Sequence, residues 1–250
     1  GVAPGAWLLP VKIFTTAGTS SLGRIWAAQQ YCIERGCRII TMSLGVKGDV
    51  PVPYVRNDRF NAEAIRAAGV VLVNSAGNDH LSFDPPIELG MTARIPAPWS
   101  ALDVPRSSLG GVITVGATGQ RAETIYEQSS RGPAAWDQID PWHDWPYLPG
   151  PGLIKPDVVA PGEGIRSTQP APQMYSGETW SGTSMACPLV AGVAALMLEK
   201  NPTLSPAGID SLLELTALDL GAPGKDTTFG AGLVDAYAAV SAVPSDLLPN

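Results

Sequence analysis

The run VVLVNSAGN, residues 70–78 of a 250-residue chain, is apolar at every position of its first four. A strand with one wet face alternates apolar and polar residues, so a strand this uniformly apolar must be covered on both faces. GGVITVGAT (110–118) and CRIITMSLG (37–45) have the same character, and AWLLPVKIF (6–14) reads as a further short strand. Helical patterns separate them. SLGRIWAAQQYCIERG (21–36) carries Ile25, Trp26 and Ile33 at helical spacing and stops at Gly36. DRFNAEAIRAAG (58–69) has Asp58 in an N-cap position and Gly69 past its end, and further helices are expected near 184–200, 206–217 and 234–242. Strands buried on both faces and alternating with helices imply an α/β fold, a three-layer, doubly wound and mostly parallel sheet with helices on both faces. In such sheets ligands sit beyond the carboxyl ends of the strands. There the chain places the polar, glycine-bearing stretches TTAGTSS, SLG and SAGN.

Three segments lack this rhythm: 46–58, 80–110 and 134–152. The last is proline-rich with three tryptophans, a composition that suits either an irregular loop packed down on the domain or a wall of a cleft. Sixteen basic residues against twenty-three acidic ones give a net charge of −7, with no Lys/Arg cluster, which argues against nucleic acid as a partner. No apolar run approaches the roughly 20 residues that span a bilayer, so no membrane partner is expected. Cys32, Cys37 and Cys187 are odd in number and lack metal-type spacing, and read as small core residues. No metal site is identified.

The chemistry concentrates in SGTSMACPLVAGVAALM, residues 181–197. Ser184 stands where a helix begins, with Pro188 in the early turns and small aliphatic residues after it. A helix start offers backbone N–H groups without intrahelical partners, suited to an oxyanion. Asn78, at the end of an apolar strand, is a second candidate donor. Acyl transfer also needs a base for the serine proton. The order nucleophile, acid, histidine of the α/β-hydrolases is excluded, because residues 185–250 contain no histidine. Upstream lie His80, two residues from Asn78, and His143 in the tryptophan-rich segment. Neither has an evident orienting partner. The residues alone therefore supply a nucleophile and oxyanion donors but no convincing base.

Together these segments closely resemble the subtilisin-like serine proteases. SGTSMACPLVAGVAALM is similar to that family's serine segment, with Ser184 as nucleophile, and VVLVNSAGND to its oxyanion segment, with Asn78 as side-chain donor. IITMSLG resembles the strand whose Ser43, Leu44 and Gly45 line the primary specificity pocket. Ser75, Ala76 and Gly77 would form its second wall, an arrangement suited to large apolar side chains with a floor in the divergent 80–110 region. SSRGP, IKPDVVAPGEGIRST and FGAGLVDAYAAV follow in family order. The stretch around Gly18 and Thr19 would be an edge that pairs with extended substrate. Asp157, in KPDVVAPG, belongs to a segment the family uses structurally, and Leu189 stands where many members carry a non-catalytic histidine.

The family's order is Asp, then His, then Ser. The opening GVAPGAWLLPVKIF resembles a strand that follows the histidine helix, so both the triad Asp and His are expected upstream of Gly1, and residues 1–250 form one catalytic domain lacking those segments. Calcium is possible in the family, but no Asp-rich loop here offers a site. The resemblance implies a serine endopeptidase acting on protein or peptide, secreted to the extracellular space, with its own N-terminal segment or a propeptide as a further partner; taken alone, the chain is expected to be inactive. A catalytically incomplete module that binds peptide or protein is the alternative. If the chain stands alone, an exposed apolar edge is expected near 6–14.

Overall fold

The computed structural model describes residues 1–101, 109–169, 175 and 179–245. Four strands, β1 (Ile39–Met42), β2 (Val71–Ser75), β3 (Val112–Thr118) and β4 (Val158–Pro161), form one sheet in the order β1-β2-β3-β4. Every pairing is parallel, with Ile39 opposite Val71, Leu72 opposite Val112 and Val115 opposite Val158. Successive side chains point to opposite faces, so an all-apolar strand feeds two cores at once. Val71 and Val73 join Ile113, Val115 and Val158 under helix α3 (Thr183–Lys200), with α4 (Pro206–Leu215) and α5 (Ala236–Ala242) beyond. Val70 and Leu72 join Ile40, Met42 and Val112 on the other face, beneath α1 (Leu22–Glu34) and α2 (Val52–Ala67). This is the three-layer α/β arrangement expected from the sequence. The apolar length of α3 is spent on the sheet, where Ala186, Cys187, Val190, Ala194 and Met197 are fully buried.

Two expected elements differ. Helix α2 begins at Val52, inside a stretch read as aperiodic, and Asp58 lies in its middle rather than at its cap. Pro51 and Pro53 cause this: proline is tolerated in the first helical turn, where its missing N–H would have no partner. Asp58 is instead buried, accepting hydrogen bonds from Trp26 Nε1 (2.9 Å) and Thr92 Oγ1 (2.7 Å). Burial raises its pKa, against the pull of those two donors.

The second difference is AWLLPVKIF, which is not a strand. Residues 7–13 make no backbone ladder with the described residues. Trp7 and Leu8 are almost wholly exposed, at 100% and 88%. A groove of 860 Å³, lined by Leu8, Ile13, Ile25, Ile40, Met42 and Leu198 among others, separates this segment from the outer edge of β1. A strand forms only where a partner offers hydrogen bonds, and here the gap leaves none within reach. A further strand, β4, arises from KPDVVAPG.

A buried ionic cluster fixes β4. Lys155 Nζ lies 2.5 Å from Asp157 Oδ2, and Lys225 Nζ lies 3.1 Å from Asp157 Oδ1 and 2.5 Å from Glu214 Oε1. Asp157 also accepts the Thr114 N–H at 2.7 Å, tying β4 to β3. Burial pushes Asp157 upward, but Lys155 and Lys225 outweigh it and hold the carboxyl below its usual range. Burial pushes Glu214 up to about 7 despite Lys225. Asp210, fully buried and facing the charges of Glu214 and Asp157, is raised well above an ordinary carboxyl.

The tryptophan-rich segment packs down on α2. Arg59, fully buried, is stacked between Trp136 and Trp142 with its guanidinium carbon 4.6 and 4.4 Å from the ring centres. It donates to both carboxylate oxygens of Asp144, at 3.0 and 2.9 Å.

Candidate active site

The carboxyl ends of β1 and β2 and the start of α3 converge on a cleft of 220 Å³. Its lining includes Ser43, Leu44, Gly45, Ser75, Gly77, Asn78 and Ser184, brought together from three distant parts of the chain. Ala76 lies behind the wall, fully buried, its carbonyl accepting the Gly90 N–H at 3.0 Å. Gly18 and Thr19 are not part of this lining. They close a turn of their own, with Thr15 N–H donating to the Thr19 carbonyl at 2.9 Å and Gly18 at φ +73°.

Ser184 is the second residue of α3 and is half-buried. Its position depends on what precedes it. Gly182 has φ +144° and ψ 166°, a conformation open essentially to glycine alone, and its N–H donates to the Gly162 carbonyl at 2.8 Å. A Cβ on Gly182 would lie 3.0 Å from Asn78 Nδ2 and 3.3 Å from Asn78 Oδ1. Glycine is therefore needed twice, for the backbone turn and for room beside the amide.

Asn78 is oriented by the same turn. Its Oδ1 accepts the Thr183 N–H at 2.9 Å and lies 3.1 Å from the Thr183 hydroxyl. A backbone N–H needs an acceptor, so the amide oxygen faces Thr183 and Nδ2 is turned away, with no acceptor among the described residues. The Ser184 N–H likewise has no partner there, as expected at a helix start. Two unclaimed donors thus sit beside one serine. Gly77 supports this arrangement, its N–H reaching Thr183 Oγ1 at 3.2 Å, and its φ of +117° again demands glycine.

Pro188 completes the local logic. An α-helical carbonyl accepts from the N–H four residues on, and proline has none. The Ser184 carbonyl is the one left without an intrahelical donor, and the Ser43 hydroxyl donates to it at 2.8 Å. The proline in the serine segment and the serine on the pocket wall are two halves of one contact.

No histidine lines the cleft. His80 Nδ1 is 2.8 Å from Glu88 Oε1, which also accepts the Arg131 N–H, so this histidine is held away from Ser184. His143 is half exposed, between the Asp137 carbonyl (2.9 Å) and Asp140 Oδ1 (2.6 Å). Those two contacts raise its pKa. Asp157 is committed to its lysines. Sequence reasoning missed two lining residues, Lys47 and Asp79, which form an ion pair (Nζ to Oδ1, 2.6 Å), and Gly90 from the divergent segment. The pocket is thus not the purely apolar one suggested by its small-residue walls. Asp79 directly follows Asn78, a signal available in the sequence; Lys47 lay in a stretch without periodicity.

Among the described residues no group of three or more His, Cys, Asp or Glu side chains is placed to hold a metal ion. Cys187 lies buried against β1 and β2, its thiol pushed up to about 11 by burial. All three cysteines are free thiols.

A parallel sheet covered by helices on both faces, presenting a serine at a helix start beside an amide donor, defines the chain as an α/β protein. Comparison narrows the class. The chain matches the subtilase family over residues 1–232. It is 33% identical over 240 residues to alkaline elastase YaB of Bacillus sp. (strain YaB), covering 96% of this chain and 50% of that protein. It is 30% identical over 242 residues to subtilisin Savinase of Lederbergia lenta, covering 96% and 70%. Fervidolysin from Fervidobacterium pennivorans, a keratinolytic enzyme related to subtilisin, superimposes with a TM-score of 0.69 at 27% identity, over 98% of this chain and 33% of that one. The chain belongs to the subtilase family. It spans about half the length of several curated relatives it matches.

Proposed function

We propose that this chain carries the serine, oxyanion and pocket portion of a serine endopeptidase. Ser184 Oγ attacks the carbonyl carbon of a peptide bond, and the negative charge that develops on the carbonyl oxygen is taken by the Ser184 N–H and Asn78 Nδ2. Such preorganised donors act on charge that appears only in the transition state. The observation that carries this reading is the pair of unclaimed donors flanking Ser184, one of them locked in orientation by Thr183. Ser43, Leu44, Gly45, Ser75 and Gly77 bound the substrate side chain, with Ala76 behind them. Because His80 and His143 are engaged elsewhere, the base and its orienting carboxylate are supplied by sequence outside these 250 residues. The same portion, or a propeptide, is the partner for the groove beside β1. Family membership supports action outside the cell.

The absence of histidine from the cleft lining favours one second reading, a peptide-binding module without turnover. Labelling with a fluorophosphonate probe separates the two. For the protease, the chain labels when supplied with the segment bearing an acid and a histidine, and Ser184→Ala abolishes the signal. Labelling of the isolated chain would assign the base to His80 or His143. No labelling under either condition would sink the protease reading in favour of the module.

A further inference from the structure

Of the described side chains lining the cleft, only Lys47 and Asp79 carry charge, and they are not equivalent. The Asp79 side chain is 6% exposed and the Lys47 side chain 62%. Asp79 is immobilised at both ends of its backbone: its N–H donates to Ser130 Oγ at 3.0 Å, and its carbonyl accepts from Ser82 (2.8 Å) and Phe83 (3.0 Å). Its carboxylate has one hydrogen-bond donor among the described residues, Lys47 Nζ at 2.6 Å. The pocket therefore holds a fixed, buried anion neutralised by a largely exposed cation.

Resting on the protease reading of this cleft, we propose that Asp79 makes the pocket select a basic substrate side chain, lysine or arginine, with Lys47 as a displaceable counter-ion. A buried carboxylate deprived of its partner is costly, so an occupant that drives Lys47 out must itself be cationic. Lys47 loses little on release, because most of its surface is already in water. A phenylalanine side chain either strands Asp79 or leaves the ammonium in place and competes with it for 220 Å³. The stem of a lysine or arginine lies along Leu44, Gly45 and Gly90, and its head reaches the carboxylate. An acidic side chain meets a carboxylate that cannot withdraw.

The test uses Ser184→Ala protein and short peptides identical except for a C-terminal lysine, phenylalanine or glutamate, with affinity read by calorimetry. The lysine peptide is expected to bind about tenfold tighter than the phenylalanine peptide, a preference that falls below about twofold in Asp79→Asn. Lys47→Ala, which removes the internal competitor, raises lysine-peptide affinity further. Equal binding of the three peptides, tighter binding of the phenylalanine peptide, or a preference untouched by Asp79→Asn overturns the proposal. Tighter binding of the glutamate peptide also overturns it and makes Lys47 the reader. Fluorophosphonate labelling of the unsubstituted serine is scored in parallel. Absent labelling with an intact lysine preference sinks the catalytic reading and spares the pocket assignment. Labelling without the preference does the reverse.

Discussion

Replacing Gly182 by alanine tests whether the turn before Ser184 sets the Asn78 amide that the protease reading makes an oxyanion donor. The alanine must adopt φ +144°, where an L-residue is strained by about 1–3 kcal/mol. Its Cβ arrives 3.0 Å from Asn78 Nδ2 and 3.4 Å from Asn78 Cγ, closer than ordinary packing allows, so the amide must yield. If it swings away, the Thr183 N–H loses its acceptor, adding roughly 1 kcal/mol. The expected destabilisation is about 2–4 kcal/mol, or roughly 4–16 °C in Tm for a domain of this size. Turnover, or the rate of fluorophosphonate labelling, should fall by roughly 10²–10³, the scale on which a subtilisin loses activity when one such donor is removed. The decisive assay is the double variant. In an Asn78→Ala background the stability cost of Gly182→Ala persists in part, because the backbone strain remains. The further loss of rate should shrink to a few-fold, because the donor is already gone. Full multiplication of the two rate losses would refute the claim that Gly182 acts through Asn78, and unchanged Tm in the single variant would refute the strain.

The buried ionic cluster predicts a pH dependence. Glu214 is raised from 4.5 to about 7 in the folded protein, so the unfolded chain loses this proton first and stability falls as pH rises from about 4.5 to 7. The shift is worth about 3 kcal/mol; Glu214→Gln should lose that much less across the window in urea titrations, and parallel curves would refute the assignment. Asp144→Ala removes the carboxylate that takes two hydrogen bonds from the buried Arg59 guanidinium and should cost about 3 kcal/mol by chemical denaturation; a cost below about 1 kcal/mol would show that the remaining contacts of Arg59 suffice. Trp7 and Leu8, exposed beside an unpaired sheet edge, should promote association; Leu8→Lys should lower light scattering at a given concentration, and no change would remove that segment from the cause.

The parts legible in the sequence were those governed by local chemistry. Strands β1, β2 and β3 announced themselves because burial on both faces leaves no polar alternation, and the positions of Ser184, at the start of α3, and Asn78, just past β2, because those element boundaries are written in glycine and hydroxyl residues. What escaped depended on distance. AWLLPVKIF has the composition of a strand but no neighbour within reach, and composition cannot report a neighbour. The start of α2 was hidden by Pro51 and Pro53, which read as loop unless they fall in a first turn. Asp58 looked like a cap because nothing nearby reveals Trp26 and Thr92 folding over it. The Lys47–Asp79 pair joins positions 32 apart across the pocket, and neither residue carries a local sign of the other.

The contact between Ser43 and the Ser184 carbonyl has a consequence for how such a site can be altered. Because Pro188 withholds the hydrogen bond a helix would normally provide, the backbone of Ser184 is completed by a side chain that also lines the cleft. On the protease reading, recognition and reaction therefore share a joint. A substrate that presses on the β1 wall moves the acceptor end of the serine's own peptide unit, and a change made at Ser43 to widen the pocket is felt at the reacting oxygen. Selectivity and turnover are not separate dials in this arrangement; whoever reshapes one must retune the other.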